Sequence, residues 1–230
     1  MKKNFKRIMA MVMTVLMVVS MSISCFALSY GEEYIGYQQN NSQIYKDVPE
    51  THWAFNAVNR ATQSRWFGGY PDGTFRPNAS ITRAEALKVF VQAFSLQLSE
   101  VSETSYYDIK ATDWFAPYVE VGKDLFPKRT QFNGQTPFQP NMPVTREDVM
   151  YAIVKALGYD REATFADHSV LNMFSDQNSI SADVKGYVAV GVSYGLISGM
   201  PDGTIGAQDP LTRAEFATLL YRATHIGTLN

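Results

Sequence analysis

The sequence predicts a mainly α-helical fold: three helix–turn–helix units that close on one another with pseudo-threefold symmetry around a central three-helix bundle. Three observations predict it. The stretch GYPDGTFRPNASITRAE, ending at Glu85, returns as GMPDGTIGAQDPLTRAE, ending at Glu215, with nine of seventeen positions identical. A blurred copy, NGQTPFQPNMPVTRED, lies between them and ends at Asp148. Each copy carries a Thr-Arg that opens an apolar stripe of helical period, too little surface for one unit to bury alone.

The chain opens with a basic cluster, Lys2, Lys3, Lys6 and Arg7, then an uncharged apolar run to about Ile23 and small Ala27. This is the layout of a secretory signal peptide, 1–27, cleaved after Ala27; the alternatives are an uncleaved anchor, or a lipoprotein acylated at Cys25. Cleavage removes the only cysteine, so the exported chain would have neither thiol nor disulfide, and no transmembrane anchor. Its formal charge would fall from −2 to −6, because the four cations leave and no acid precedes Glu32. A moderately acidic protein is a poor nucleic-acid binder. Residues 28–44 are polar without clear period and read as a linker.

Three units follow, at 45–100, 101–160 and 170–226. Each opens with an aromatic residue and an aspartate: YKD at Asp47, YYD at Asp108 and FSD at Asp176. A first helix is expected from Trp53, with Trp53, Ala54, Ala57, Val58 and Ala61 on one face. Glycines, Gly68-Gly69 in one copy and Gly195 to Gly199 in another, are expected to end it. Pro-Asp-Gly-Thr then makes a tight turn, with Gly73 or Gly203 at positive φ. The second helix has a written start. Thr82 to Glu85 and Thr212 to Glu215 are capping boxes, and Thr145 to Asp148 is a weaker one because aspartate is shorter.

With these residues quoted, the chain resembles the S-layer homology (SLH) domain, three times over, from about Tyr45 to Thr224. The resemblance implies a three-pronged spindle with a three-helix core and ligand grooves between adjacent repeats. It implies non-covalent attachment to the bacterial cell wall, through a secondary cell-wall polysaccharide carrying pyruvate ketals on N-acetylmannosamine or through peptidoglycan-linked glycan. The early aspartates, Asp47, Asp108 and Asp176, would hydrogen-bond sugar hydroxyls, or else cap a loop or helix start. Trp53 and Trp114 would offer a flat face to a sugar ring, or else pack in the core. Gly69 and Gly199 would admit the ligand to bare backbone, or else cap a helix.

Arg83, Arg146 and Arg213 sit at the first position of the second helices, where a cation opposes the helix dipole at a cost of a few tenths of a kcal/mol. Recurrence there suggests a purpose. A guanidinium fork beside free helix-start amides can grip a carboxylate such as a pyruvate ketal. The bland alternative is a surface pair with a nearby acid such as Glu85. Within its own unit Arg83 has the full set, with Asp47, Trp53 and Gly69. Arg146 has Asp108 and Trp114 but an altered turn, and Arg213 lacks the tryptophan, Asp183 standing in its place. Arg83 is therefore expected to matter most, unless the grooves borrow from neighbouring units.

Competing functions are weaker. Carboxylates recur with the repeats instead of converging once, and no nucleophile motif is visible, so a glycan-cleaving enzyme is not expected. His52, His168 and His225 have no metal spacing, and one aspartate per Pro-Asp-Gly-Thr turn is not a calcium loop. No cofactor is expected. A self-assembling coat protein that binds no glycan is the remaining alternative.

Overall fold

The computed structural model describes residues 43–128 and 136–226. The expected signal peptide, nearly all of the expected linker and most of the altered turn of the second unit lie outside the described residues.

The helices begin where local chemistry says they must. Unit 1 contributes α1 (Phe55–Gln63) and α2 (Arg83–Ala93), and unit 2 contributes α3 (Ala116–Gly122) and α4 (Arg146–Ala156). A connecting segment forms α5 (Asp160–Thr164) and a 3-10 turn (His168–Met173). Unit 3 then contributes α6 (Lys185–Ser193) and α7 (Arg213–Ile226). The fold is mainly helical, and strand pairing among the described residues is limited to isolated bridges. At α2 the Thr82 hydroxyl accepts from the Glu85 amide, while the Glu85 carboxylate accepts from the Thr82 amide at 2.9 Å. Glu215 and Thr212 repeat this at α7. At α4 only half the box forms: the Asp148 amide donates to the Thr145 hydroxyl, and the shorter side chain turns elsewhere.

Two expected boundaries move. Helix α1 begins at Phe55, and Trp53 precedes it, 62% exposed and outside the core. The left-handed residue that ends α1 is Arg65, at φ 60°, and not the Gly68-Gly69 pair. Unit 3 uses Gly195 there, at φ 68°, as the residue type favours. The Pro-Asp-Gly-Thr turns form as expected, with Gly73 and Gly203 at φ 78° and 81°. Asp72 accepts from the hydroxyl and amide of Thr74. Those bonds, the hydroxyl's first, hold its carboxyl at about 2.

The early aspartates have one structural task, done three times. Asp47 accepts from the amides of Phe75 and Arg76, both at 2.8 Å. Asp108 accepts from Phe138 and Gln139 at 2.8 and 2.7 Å, and Asp176 from Ile205 and Gly206 at 2.7 and 2.9 Å. The second residue of each pair is left-handed: Arg76 at φ 57°, Gln139 at 59°, Gly206 at 62°. Two of these three are not glycine, so the conformation needs support, and two charge-assisted bonds provide it. This latch makes the three units alike in construction despite the drift in the middle sequence. Asp108→Ala is expected to destabilise the fold by about 2 kcal/mol, lowering the melting temperature by roughly 4–8 °C. A melt unchanged within a degree would remove the latch role.

The units close through a ring of backbone hydrogen bonds. Ile81 donates to Leu211, Leu211 to Val144 and Val144 back to Ile81, at 3.0–3.1 Å. All three residues stand two places before an arginine, and all three are buried. Beyond the ring, each capped helix packs on the first helix of the following unit: α2 on α3, α4 on α6, and α7 on α1. The capped helices also meet centrally, where Phe90 of α2 and Phe216 of α7 stand edge to face at 5.1 Å. The helices adjacent in sequence within a unit are therefore not its main packing partners.

Candidate carbohydrate-binding grooves

Each arginine is aimed by the fold into the following unit. Arg213 of unit 3 donates through Nε to the Phe75 carbonyl, and through a terminal nitrogen to the Gly68 carbonyl, both at 2.8 Å. Arg83 of unit 1 donates through Nε to the Phe138 carbonyl at 2.8 Å. Phe75 and Phe138 are the residues whose amides the aspartates hold. Asp47 thus positions the carbonyl that receives Arg213, and Asp108 the one that receives Arg83. Arg146 keeps half of this pattern: a terminal nitrogen reaches the carbonyl of Ser198, the counterpart of Gly68, at 2.9 Å, but its Nε has no hydrogen-bond partner among the described residues.

The free amides expected at the helix starts are not free. The amides of Arg83 and Ala84 donate to Met142 and Pro140, those of Arg146 and Glu147 to Asp209 and Ala207, and those of Arg213 and Ala214 to Ala79 and Pro77. The third amide of each helix goes to the capping threonine. An anion at these helix starts would have to be met by side chains, because the neighbouring unit has consumed the backbone donors.

The three grooves differ. The groove of Arg213 is an open cavity of about 250 Å³ lined by residues of all three units. Gly68, Gly69 and Tyr70 of unit 1 form one wall, Glu85 and Lys88 of α2 another, and Trp114 of unit 2 closes it. Trp114 is 57% exposed, with the Lys88 ammonium 5.9 Å from its ring centroid. It is not a core residue. Arg213 itself is only 7% exposed and lies over the rings of Phe67, Tyr70 and Phe75 at 4.6–5.2 Å. Its polar partners among the described residues are carbonyls, with no carboxylate in contact. Burial pulls its pKa below the ordinary arginine value. Arginine remains charged even so.

The groove of Arg83, about 210 Å³, is lined by Pro127, Gln139, Met142, Pro143, Thr145 and Asp148. No tryptophan lines it. Behind Arg146 the cleft lined by Met150, Val188, Ile197 and Ile205 has essentially no open volume (≈ 0 Å³). Burial lowers the Arg146 pKa too. Trp53 lies beside His52, their rings 5.6 Å apart. The residues grouped with Arg83 by unit are not the ones the fold brings to it: Trp114 and Gly69 share a cavity with Arg213, which is assembled across units.

The two glycines answer to packing inside their own unit. A Cβ at Gly69 would stand 2.1 Å from the Tyr45 ring, and one at Gly199 2.4 Å from the Phe174 ring. Two residues lining these grooves, Lys88 and Tyr70, were not singled out in the sequence, and Asp148 was noticed only as a capping residue. Lys88 could have been noticed only by comparing units, since Tyr151 and Thr218 occupy its place in the other two.

Comparison with known proteins follows the same division. A family model matches residues 44–87 and 174–217. Both segments match the S-layer homology domain. They fall in units 1 and 3, and the middle copy expected from the sequence lies outside them. Cell surface glycoprotein 1 of Acetivibrio thermocellus is 30% identical over 168 residues, 70% of this chain and 7% of that protein. Amylopullulanase of Thermoanaerobacterium thermosulfurigenes is 23% identical over 197 residues, 85% of this chain and 10% of that protein. The cellulosome-anchoring protein of A. thermocellus is 37% identical over 100 residues, 41% of this chain and 22% of that protein. The chain therefore spans a small part of each relative. Among the described residues no helix is long and apolar enough to cross a membrane.

Proposed function

We propose that this chain is a non-catalytic anchoring module of the cell surface, three S-layer homology repeats at 45–100, 101–160 and 170–226. It attaches non-covalently to a secondary cell-wall polysaccharide bearing pyruvate ketals. A secreted, cell-surface or cell-wall location follows from the S-layer homology segments and from relatives named as a cell surface glycoprotein and a cellulosome-anchoring protein. The three-repeat reading is supported by the aspartate latch, which unit 2 shares with units 1 and 3.

One observation carries the ligand reading. Arg213 is a nearly buried cation whose hydrogen-bond partners among the described residues are carbonyls, at the edge of an open groove that also holds Lys88 and an exposed tryptophan face. A buried charge with no carboxylate in direct contact is costly, and an incoming carboxylate offsets that cost. Trp114 supplies an apolar plane for the sugar ring that bears it. Local complementarity of this kind lets an acidic protein hold an acidic polymer.

The test is retention of the purified protein on isolated walls, with and without mild-acid removal of the ketals. Intact walls should retain it and ketal-free walls should not. Equal retention on both would refute the carboxylate reading. Trp114→Ala should weaken retention several-fold with an unchanged melting temperature, because more than half of that side chain already faces water. A lowered melt together with lost retention would instead mark Trp114 as structural.

A further inference from the structure

The residue three places after each arginine makes the grooves unequal. In units 1 and 3 it is glutamate. The Glu85 and Glu215 carboxylates reach back to the amide and hydroxyl of Thr82 and Thr212, at 2.7–3.0 Å. In unit 2 it is Asp148, one methylene shorter. Its amide still reaches Thr145, but its carboxylate crosses to unit 1 and meets a terminal nitrogen of Arg83 at 2.7 Å. The two side chains are 13% and 5% exposed, so solvent screens this pair little.

We infer that Asp148 is a built-in counter-ion occupying the carboxylate seat of the Arg83 groove, so that the chain takes one carboxylated sugar, at Arg213, and not one per arginine. The inference rests on the carboxylate reading above and specifies which groove acts. Three features agree. The Arg213 groove has a second cation, Lys88, and its nearest capping acid, Glu85, is turned to its own threonine. The Arg83 groove carries its own acid against the guanidinium. Behind Arg146, the cleft lined by Met150, Val188, Ile197 and Ile205 has no open volume.

Calorimetric titration with N-acetylmannosamine carrying a pyruvate ketal tests this on the full chain, with folding checked by circular dichroism. Wild type should bind one equivalent. Asp148→Asn, which removes the charge, should bind two. Asp148→Glu should also bind two, because glutamate is long enough to rebuild the capping box and leave Arg83. Adding Arg83→Ala to Asp148→Asn should return the count to one. One equivalent in wild type and in both folded Asp148 variants would overturn the counter-ion while leaving the carboxylate reading intact. Two equivalents in wild type, one of them lost in Arg83→Ala, would overturn it as well. No binding by wild type but one equivalent in Asp148→Asn would support the counter-ion and refute the assignment to Arg213. No binding by any of these proteins would overturn both readings.

Discussion

Arg213→Ala is expected to lower wall binding by tenfold or more, and Arg83→Ala to leave it within about twofold. A charge-assisted hydrogen bond contributes about 1.5–3 kcal/mol, and about 1.4 kcal/mol is a factor of ten. Arg83 already spends a terminal nitrogen on Asp148, so its removal takes little from an external ligand. Arg213 faces an open cavity, with no acid hydrogen-bonded to it among the described residues. It also ties down the carbonyls of Phe75 and Gly68, so alanine there loosens the groove wall as well. Arg213→Lys separates the two contributions. It keeps a charge but loses the planar fork, and should fall between wild type and alanine. Co-sedimentation with isolated walls at two salt concentrations would measure the series. Equal losses in Arg83→Ala and Arg213→Ala would sink the ordering.

What could be read from the sequence was local. Capping boxes and Pro-Asp-Gly-Thr turns each depend on a few adjacent residues, and each formed where the residues placed it. The half-box at Thr145 was legible from the length of one side chain. What could not be read was which unit each residue serves. Arg213 and the carbonyl it meets at Phe75 are 138 residues apart in the chain, and no periodicity encodes that pairing. Trp53 carried a helical spacing that its exposed place before α1 does not use. The aspartates were open to two readings, because an acid before a turn suits a sugar hydroxyl as well as a backbone amide. The structure commits both oxygens of each to backbone amides. Asp148 is the most informative case. Its shortness was visible, but its consequence requires knowing that Arg83 of another unit stands within reach.

The exchange of partners between units makes the second large effect a matter of cooperativity. A fragment from Tyr45 to Glu100 should be poorly helical and should melt without a sharp transition. It contains α1 and α2, but α1 packs on α7 and α2 on α3, so the fragment holds neither partner. Helices of nine and eleven residues are below the length of about 12–15 residues at which isolated helices become marginal in water. In the whole protein Phe90 is completely buried against Phe126 and Phe216, both outside the fragment. Exposing a side chain of that size forfeits about 1.5–3 kcal/mol, and Leu87 and Val89 add to the loss. Ile81 also loses both of its ring partners, Leu211 and Val144. Phe90→Ala in the intact chain probes the same centre without truncation. It should cost about 3–5 kcal/mol and lower the melting temperature by roughly 6–20 °C, with all probes shifting together. Circular dichroism and tryptophan fluorescence followed through the same urea titration would check it, since coincident curves mark one cooperative unit. A fragment that melts sharply by itself, or a Phe90→Ala protein whose two probes separate, would mean that the units fold as independent beads.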